Sequence, residues 1–166
     1  MYRTIQDFVN DWAHESSLTS SVLSVLTDAS LKQAVTPAKG RTIGALSWHL
    51  VSSVTGMLGA GGLQVQGPGQ ADPEPSRAQD IADRYRQVSE AAAKAVQSQW
   101  NDDKLAEPLK LFGTIDTTYG GLLTLIVRHQ IHHRGQLTIL MRQAGLVPPG
   151  VYGPNEEETA ALSAGQ

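Results

Sequence analysis

The chain has 166 residues, of which 40% are hydrophobic and 17% are charged, and it contains no cysteine. This length favours one domain, spanning residues 1–166, with a real hydrophobic core. The formal net charge is -3 and the basic residues are scattered, so we expect no nucleic acid and no membrane surface as a partner. The lack of cysteine excludes disulfides, thiolate metal ligands and a cysteine nucleophile.

The sequence carries no pattern typical of export or membrane insertion. The N-terminal residues mix acidic with apolar side chains and lack the apolar core of a signal peptide. No stretch approaches 18 consecutive apolar residues, the length of a membrane-spanning helix. We therefore expect a soluble protein in the cytoplasm.

Two amphipathic helices are predicted in the first 60 residues. Helix 1 is expected from Thr4 to Ala34, with Asp7 in its first turn, where a carboxylate favours the positive end of the helix dipole. His14 falls on the side opposite the apolar face, so we expect it to be solvated. A proline and a glycine within residues 36–41 end this helix. Helix 2 is expected from Thr42 to Leu58.

His49 lies away from the centre of the apolar stripe of helix 2. It shares a strip with Leu46, Ser53 and Gly56, where small residues would allow another helix to approach closely. Taken alone, the pattern of this helix gives weak support to His49 as a functional residue.

The middle of the chain combines a loop, a helix and a short hairpin. Residues 60–75 are rich in glycine and proline, which carry the largest helix penalties. We expect a long surface loop there, either a functional lid or a disordered link. Helix 3 is predicted from Ser76, as its N-cap, to Trp100. A short pair of strands is expected around Leu109–Ile115.

Helix 4 is predicted from Thr118 to Ala144 and completes the fold. Gly145 is typical of the residue that follows a helix. The tail from Leu146 to Gln166 is expected to be irregular, and its acidic run, Glu156–Glu158, to be a solvated end. Four amphipathic helices without a long strand predict an all-α four-helix bundle.

Helix 4 carries two histidines inside its apolar stripe. His129 and His133 lie within about 60° of the line of apolar side chains along the helix. At the spacing i and i+4, the two imidazoles are one turn apart and can reach the same metal ion. The pattern also fits two ordinary buried histidines that are hydrogen-bonded within the bundle, and the residues alone leave both interpretations open.

The neighbours of these histidines narrow the possible chemistry. A metalloprotease would have a glutamate after the first histidine, and this chain has Gln130, whose amide cannot act as a general base. A third ligand must come from elsewhere, either another histidine or a carboxylate. His14 faces away, and His132 lies about 80° from the line and would need the helix to rotate. Arg134 lies about 120° away, where we expect a surface or subunit contact.

Two stretches carry a specific pattern, namely HQIHHRGQLTILMRQAGLVPPGVYGP at 129–154 and SWHLV at 47–51. Both resemble motifs of the DinB/YfiT-like family of four-helix bundle proteins. The resemblance implies one divalent metal ion held by His49, His129 and His133. Imidazole ligands suit zinc, nickel, copper and iron, and of these we expect zinc or nickel.

The resemblance also implies an activity. We expect a metal-dependent transferase of the thiol S-transferase type, acting on a small molecule in detoxification or stress response. A dipositive ion inside an apolar bundle favours an anionic partner such as the thiolate of a low-molecular-weight thiol. The alternatives are a metal-dependent hydrolase or isomerase, a non-catalytic module that binds metal or a small ligand, and a purely structural bundle.

Three further residues are candidates for roles around the metal. Gln136, one turn after His132, could orient a ligand or the substrate. Trp48 and Tyr152 could line a pocket, although aromatic residues in a small bundle are usually part of the core. From the resemblance we also expect a homodimer.

Overall fold

The computed structural model describes residues 1–36 and 40–164, and these are mostly helical. The helices are α1 (Ile5–Ser24), α2 (Ile43–Ala60), α3 (Ala78–Gln99), α4 (Tyr119–Gln143) and α5 (Glu156–Ala164). The first four enclose the hydrophobic core, which confirms the predicted four-helix bundle. In the described residues, no helix is both long and apolar enough to cross a membrane.

The order of the helices around the core differs from their order in the chain. α1 packs mainly against α3 and α4, and α2 packs mainly against the same two helices. Consecutive helices α1 and α2 therefore lie diagonally across the bundle, while α2 lies beside α4. This arrangement determines which side chains meet, because facing helices supply the functional sites of bundles.

Threonine caps begin three of the helices, as the side-chain chemistry of N-caps favours. Thr4, Thr42 and Thr118 each accept a hydrogen bond from the backbone N–H three residues later. At the end of α4, Gly145 has a φ of +76°, and Leu146 N–H donates to the carbonyl oxygen of Met141 at 2.9 Å. This is the Schellman arrangement that favours glycine, and the predicted bounds of helix 4 are correct within one residue at each end.

α1 ends at Ser24, ten residues before the predicted end at Ala34. The reason is local, because Thr27 and Ser30 exchange hydrogen bonds, each side-chain oxygen accepting from the other residue's backbone N–H at 3.0 and 3.2 Å. Such side-chain bonds compete with the helix for the backbone groups. A short 3-10 helix at Ser30–Lys32 follows. The predicted break at 36–41 lies partly outside the described residues.

The start of α3 also differs from the prediction. Its N-cap is Arg77 rather than Ser76, and no side chain of the cap residue bonds to the helix. Instead, the Asp28 carboxylate accepts a hydrogen bond from the backbone N–H of Ala78 at 2.8 Å. A distant carboxylate thus satisfies a free N–H at the helix start, which a local pattern does not reveal.

The predicted hairpin is present between α3 and α4. β1 (Pro108–Leu111) and β2 (Ile115–Thr118) are antiparallel, with Leu111 paired to Ile115. The turn uses positive φ angles at Phe112 and Gly113, for which glycine is well suited. The last residue of β2 is the N-cap of α4, so the hairpin leads directly into the helix that bears two of the histidines.

The long loop between α2 and α3 is packed against the bundle. The indole N–H of Trp48 donates to the Asp72 carbonyl oxygen at 2.9 Å, and the Thr55 hydroxyl donates to the Pro68 carbonyl oxygen at 2.6 Å. Leu63 is buried, with 4% of its surface exposed. Side-chain bonds from α2 therefore hold this loop as a cover over one edge of the bundle.

The C-terminal tail contains a helix, α5, where an irregular end was predicted. Asn155 and Glu158 cap it reciprocally, because each side chain accepts a hydrogen bond from the other residue's backbone N–H. This exchange is a capping box. Glu157 is ion-paired with Arg142 of α4. The acidic run is therefore the first turn of a helix, and its three side chains are exposed, as predicted.

Candidate metal centre

Three histidines from two helices converge at the interface of α2 and α4. The Nε2 atom of His129 lies 3.1 Å from Nε2 of His49 and 3.2 Å from Nε2 of His133. One ligand atom from each residue falls within 4.8 Å of the others. All three side chains are partly buried. The fold thus brings together the three histidines that the family resemblance implied, and it leaves His14 exposed on α1.

A buried glutamine holds the two helices in register at this point. The Gln130 amide donates to the Leu50 carbonyl oxygen at 3.1 Å and accepts from the Tyr85 hydroxyl at 3.1 Å. Gln130 is completely buried. Because Leu50 follows His49 and Gln130 follows His129, this bond joins the turns that carry two of the histidines.

This structural role of Gln130 was not predicted from the sequence, where its amide served only to exclude a general base. The signal was present in the spacing, since Gln130 lies seven residues after Leu123 and seven before Leu137. Both leucines are fully buried. A polar residue on such a line occupies a core position, where it must find hydrogen-bond partners.

The positions of the three nitrogens fit a divalent ion. In a tetrahedral zinc site with Zn–N distances of about 2.0–2.1 Å, two ligand nitrogens lie roughly 3.3–3.4 Å apart. The two short separations here, 3.1 and 3.2 Å, are close to that value. The Nδ1 atom of His129 is buried and has no hydrogen-bond partner within residues 1–36 and 40–164. Its imidazole therefore interacts chiefly through Nε2, the atom that faces the other two histidines.

The environment keeps these imidazoles neutral, the form that binds metals. Burial lowers the pKa of His49 and of His129 to about 4, with smaller effects from the positive charges of neighbouring histidines and Arg41. Burial also lowers the pKa of His133, against the opposing effect of its hydrogen bond to Gln136. The charged groups that contribute to these shifts, Arg41 and the neighbouring histidines, are cationic when charged, so they also favour the neutral form.

Gln136 contacts the outer side of the cluster. Its Oε1 atom lies 2.7 Å from Nδ1 of His133, and its Nε2 atom lies 3.1 Å from Nε2 of His132. The amide oxygen can only accept, so Nδ1 of His133 carries the proton and Nε2 is left with its lone pair toward the other histidines. His132 is exposed and lies outside the three-histidine group.

The other two candidates lie away from the histidines. Trp48 lines a different cavity of about 540 Å³, between the α2–α3 loop and α3. Tyr152 is 64% exposed, and its hydroxyl bonds to Glu15 and Arg134. Of the three candidates, Gln136 therefore contacts the histidine cluster, whereas Trp48 and Tyr152 lie elsewhere.

Arg134 is buried, and the expected surface or subunit contact was wrong. Only 1% of its surface is exposed. It forms an ion pair with Glu15 of α1 at 2.6 Å and donates to the Thr19 hydroxyl at 3.1 Å. The contact exists because α1 lies beside α4. Glu15 gave the available signal, since it lies seven residues after Phe8 and seven before Val22, two buried positions.

Comparisons with known proteins agree on one family. The model described as the DinB family matches residues 1–165. The protein YrdA from Bacillus subtilis (strain 168) is 42% identical over 160 residues, covering 96% of this chain and 95% of YrdA. A crystal structure of a DinB-like protein from Bacillus cereus ATCC 10987 is 41% identical, with a TM-score of 0.86, covering 92% of this chain and 100% of that one.

A more distant structure shares the fold alone. YfiT from Bacillus subtilis is 15% identical, with a TM-score of 0.63, and the match covers 85% of this chain and 87% of YfiT. That protein is described as a probable metal-dependent hydrolase with an unusual four-helix bundle topology. The structural match shows that this chain and YfiT share a four-helix bundle fold.

Proposed function

This chain belongs to the DinB family, and from its histidine cluster we propose that it is a metal-dependent thiol S-transferase. Its role would be in detoxification or stress response, with a small molecule and a low-molecular-weight thiol as reactants. The observation that carries this proposal is the group formed by His49, His129 and His133, with three nitrogens and no carboxylate.

The chemistry of the donor set supports a thiol as the nucleophile. A divalent ion held by three neutral imidazoles keeps its full charge and an open position, so it favours the thiolate form of a coordinating thiol. Around it, Gln136 fixes the tautomer of His133, and Gln130 holds α2 against α4. Partial burial of the histidines limits the access of water.

Transfer of a thiol fits this site better than hydrolysis does. Metal-dependent hydrolases commonly pair the ion with a carboxylate that acts as general base. In this chain Gln130 stands at the corresponding position of the helix, and the charges acting on the three histidines come from Arg41 and from other histidines. A thiol that is ionised by the metal needs no protein base.

Metal content tests the first part of the proposal. Untagged protein reconstituted with Zn²⁺ or Ni²⁺ should hold about one ion per chain, and His129→Ala should hold less than about 0.2. His14→Ala is the matched control, because it removes an exposed histidine on α1 and should leave the metal content unchanged. Less than about 0.2 ions in the unmodified protein would refute the site.

Turnover tests the second part. The metal-loaded protein should accelerate the reaction of monochlorobimane with at least one thiol from a panel of cysteine, glutathione, bacillithiol and mycothiol. His129→Ala and His133→Ala should lose this activity, and His14→Ala should keep it. Hydrolysis of p-nitrophenyl acetate without thiol transfer would assign a hydrolase instead. A full metal site with neither activity would assign a binding module.

A further inference from the structure

A groove of about 400 Å³ begins where the histidine cluster ends. Gln136 belongs to both, because it lines the groove and its Oε1 atom lies 2.7 Å from His133. α2 also reaches the groove, through the residue one turn before His49. Most of the wall is apolar, formed by Val35, Leu46, Ile139 and Leu140.

The groove has the properties of a small-molecule site. Its volume falls in the usual range for such sites, about 300–1,000 Å³. Ile139 and Val35 are 63% and 55% exposed, so large apolar side chains face solvent at its rim. A ligand with an apolar body would remove this surface from water, which is favourable in proportion to the area covered.

Arg41 is the charged residue in the wall of the groove. The ion pairs found among residues 1–36 and 40–164 use Arg86, Arg134 and Arg142 but not Arg41. Its guanidinium therefore offers its donors without a carboxylate partner in the described part of the chain. Arginine binds a carboxylate through two parallel hydrogen bonds, and such bonds are stronger where water is partly excluded.

The groove and a metal-loaded cluster would have the same sign of charge. Arg41 and Gln136 line the same groove, and Gln136 bonds to His133, so one small ligand can reach both Arg41 and the edge of the cluster. A divalent ion at the histidines would add to this positive potential. A groove of one sign concentrates ligands of the opposite sign, and a cationic ligand would be repelled.

We infer that this groove binds a reactant with an apolar body and a carboxylate, the carboxylate on Arg41 and the reacting end toward the histidines. The inference rests on the proposed transferase function and narrows its substrate class. Either the thiol or the electrophile carries the carboxylate, since both would present the same groups to the groove. Arg41 would then be a specificity residue, and the apolar side chains would accept varied bodies.

Direct binding tests the inference without any need for turnover. Calorimetry should show that the zinc-loaded protein binds 4-phenylbutyrate at least about tenfold more tightly than 4-phenylbutyramide, since a charge-assisted pair is worth about 1.4 kcal/mol or more. Arg41→Gln should abolish this preference while keeping its metal. Arg84→Gln, which changes an exposed arginine of α3, should retain it. Equal binding of acid and amide, or a preference that survives in Arg41→Gln, would overturn the inference.

Kinetics then identify which reactant carries the carboxylate. One arm compares 3-mercaptopropionate with 2-mercaptoethanol, using monochlorobimane as a neutral electrophile. The other compares 4-(bromomethyl)benzoate with its methyl ester, using 2-mercaptoethanol. Arg41→Gln should raise KM for the carboxylated thiol or for the carboxylated electrophile about tenfold and change kcat little, because a remote binding contact is lost. The comparison that shows this increase identifies the reactant that binds Arg41.

The two proposals fail in different ways. Thiol transfer with unchanged KM values in Arg41→Gln would refute the carboxylate site and leave the transferase standing. Binding of phenylbutyrate that depends on Arg41, without transfer by any thiol, would refute the transferase and support the anion site. The metal content of Arg41→Gln, expected at about one ion per chain, excludes an indirect effect through the histidines.

Discussion

Two polar clusters lie on different sides of α4 and differ in how well their groups are paired. On one side, the guanidinium of Arg134 bonds to Glu15, Thr19 and Tyr152. On the other side, three imidazole nitrogens face one another within 4.8 Å, and Nδ1 of His129 has no hydrogen-bond partner among the described residues. The polar groups of the first cluster are paired with one another, whereas the second cluster presents nitrogen atoms that could bind a metal ion.

This difference separates a structural role from a functional one. A buried charge is tolerated when hydrogen bonds and an opposite charge compensate it, and Arg134 has both. Neutral imidazoles carry one N–H each, so nitrogens that crowd together cannot all be satisfied by one another. A site whose groups are left incomplete in the folded chain is where ligand chemistry is expected. The free energy of unfolding distinguishes the two roles.

The largest effect is expected at the complete cluster. Arg134→Met should lower the free energy of unfolding by about 3–5 kcal/mol, because it leaves the Glu15 carboxylate buried without its partner. Urea denaturation measures this loss. Arg128→Met is the control, since it changes an exposed arginine of the same helix and should cost less than about 0.5 kcal/mol.

A double variant separates the unpaired charge from lost packing. Glu15→Met combined with Arg134→Met should recover most of the loss, because a buried ion pair can be replaced by apolar side chains of similar size. A loss below about 1 kcal/mol in Arg134→Met alone would show that this cluster is not the structural one.

The histidine cluster should behave in the opposite way. In metal-free protein, His129→Ala should change the free energy of unfolding by less than about 1 kcal/mol, because its Nδ1 bonds to none of the described residues and its Nε2 contacts only neutral imidazoles. Zinc at 100 times its dissociation constant should stabilise the unmodified chain by about 2.7 kcal/mol and leave His129→Ala unaffected. Thermal unfolding with zinc and with a chelator measures both. A large loss in metal-free His129→Ala would mean that the cluster holds the fold together.

Gln130 is expected to contribute both to the stability of the fold and to metal binding by the histidines. Gln130→Leu should lower the free energy of unfolding by about 2 kcal/mol, because the buried Tyr85 hydroxyl loses its acceptor and the Leu50 carbonyl loses one of its donors. It should also weaken zinc binding about 10- to 100-fold, as loss of an outer contact commonly does. Tyr85→Phe is the matched control, since it removes one bond and keeps the link between α2 and α4. Unchanged zinc affinity in Gln130→Leu would limit this residue to stability.

The parts of the fold that depend on local chemistry were predictable from sequence. The bounds of α4 follow from a threonine cap and from Gly145, both of which act through adjacent backbone groups. The capping box of Asn155 and Glu158 has an equally local signal, which the prediction of an irregular tail overlooked. The early end of α1 was harder, because Thr27 and Ser30 could also be accommodated in a helix.

The parts of the site that depend on helix order were not predictable from helix patterns. His49 has weak support on its own helix and meets His129 only because α2 lies beside α4. Arg134 reaches Glu15 only because α1 lies on the other side of α4. Periodicity gives the face of a helix and not the neighbour of that face. Family resemblance supplied this missing information for His49 and supplied nothing for Arg134.

The smallest effect is expected at the ion pair between Arg142 and Glu157, which lies at the surface. Its N–O distance of 2.5 Å is close to the 2.6 Å of the buried pair. Arg142 lowers the pKa of Glu157 to about 2, so the pair stabilises the fold above the ordinary pKa of 4.5 and loses its effect as the pH falls toward 2. Glu157→Gln should therefore lower Tm slightly at pH 7 in low salt, and this difference should shrink at pH 3 and in about 1 M salt. Glu156→Gln, which removes a neighbouring acid of α5, is the control. A loss as large as that in Arg134→Met would show that geometry, rather than burial, decides what an ion pair contributes here.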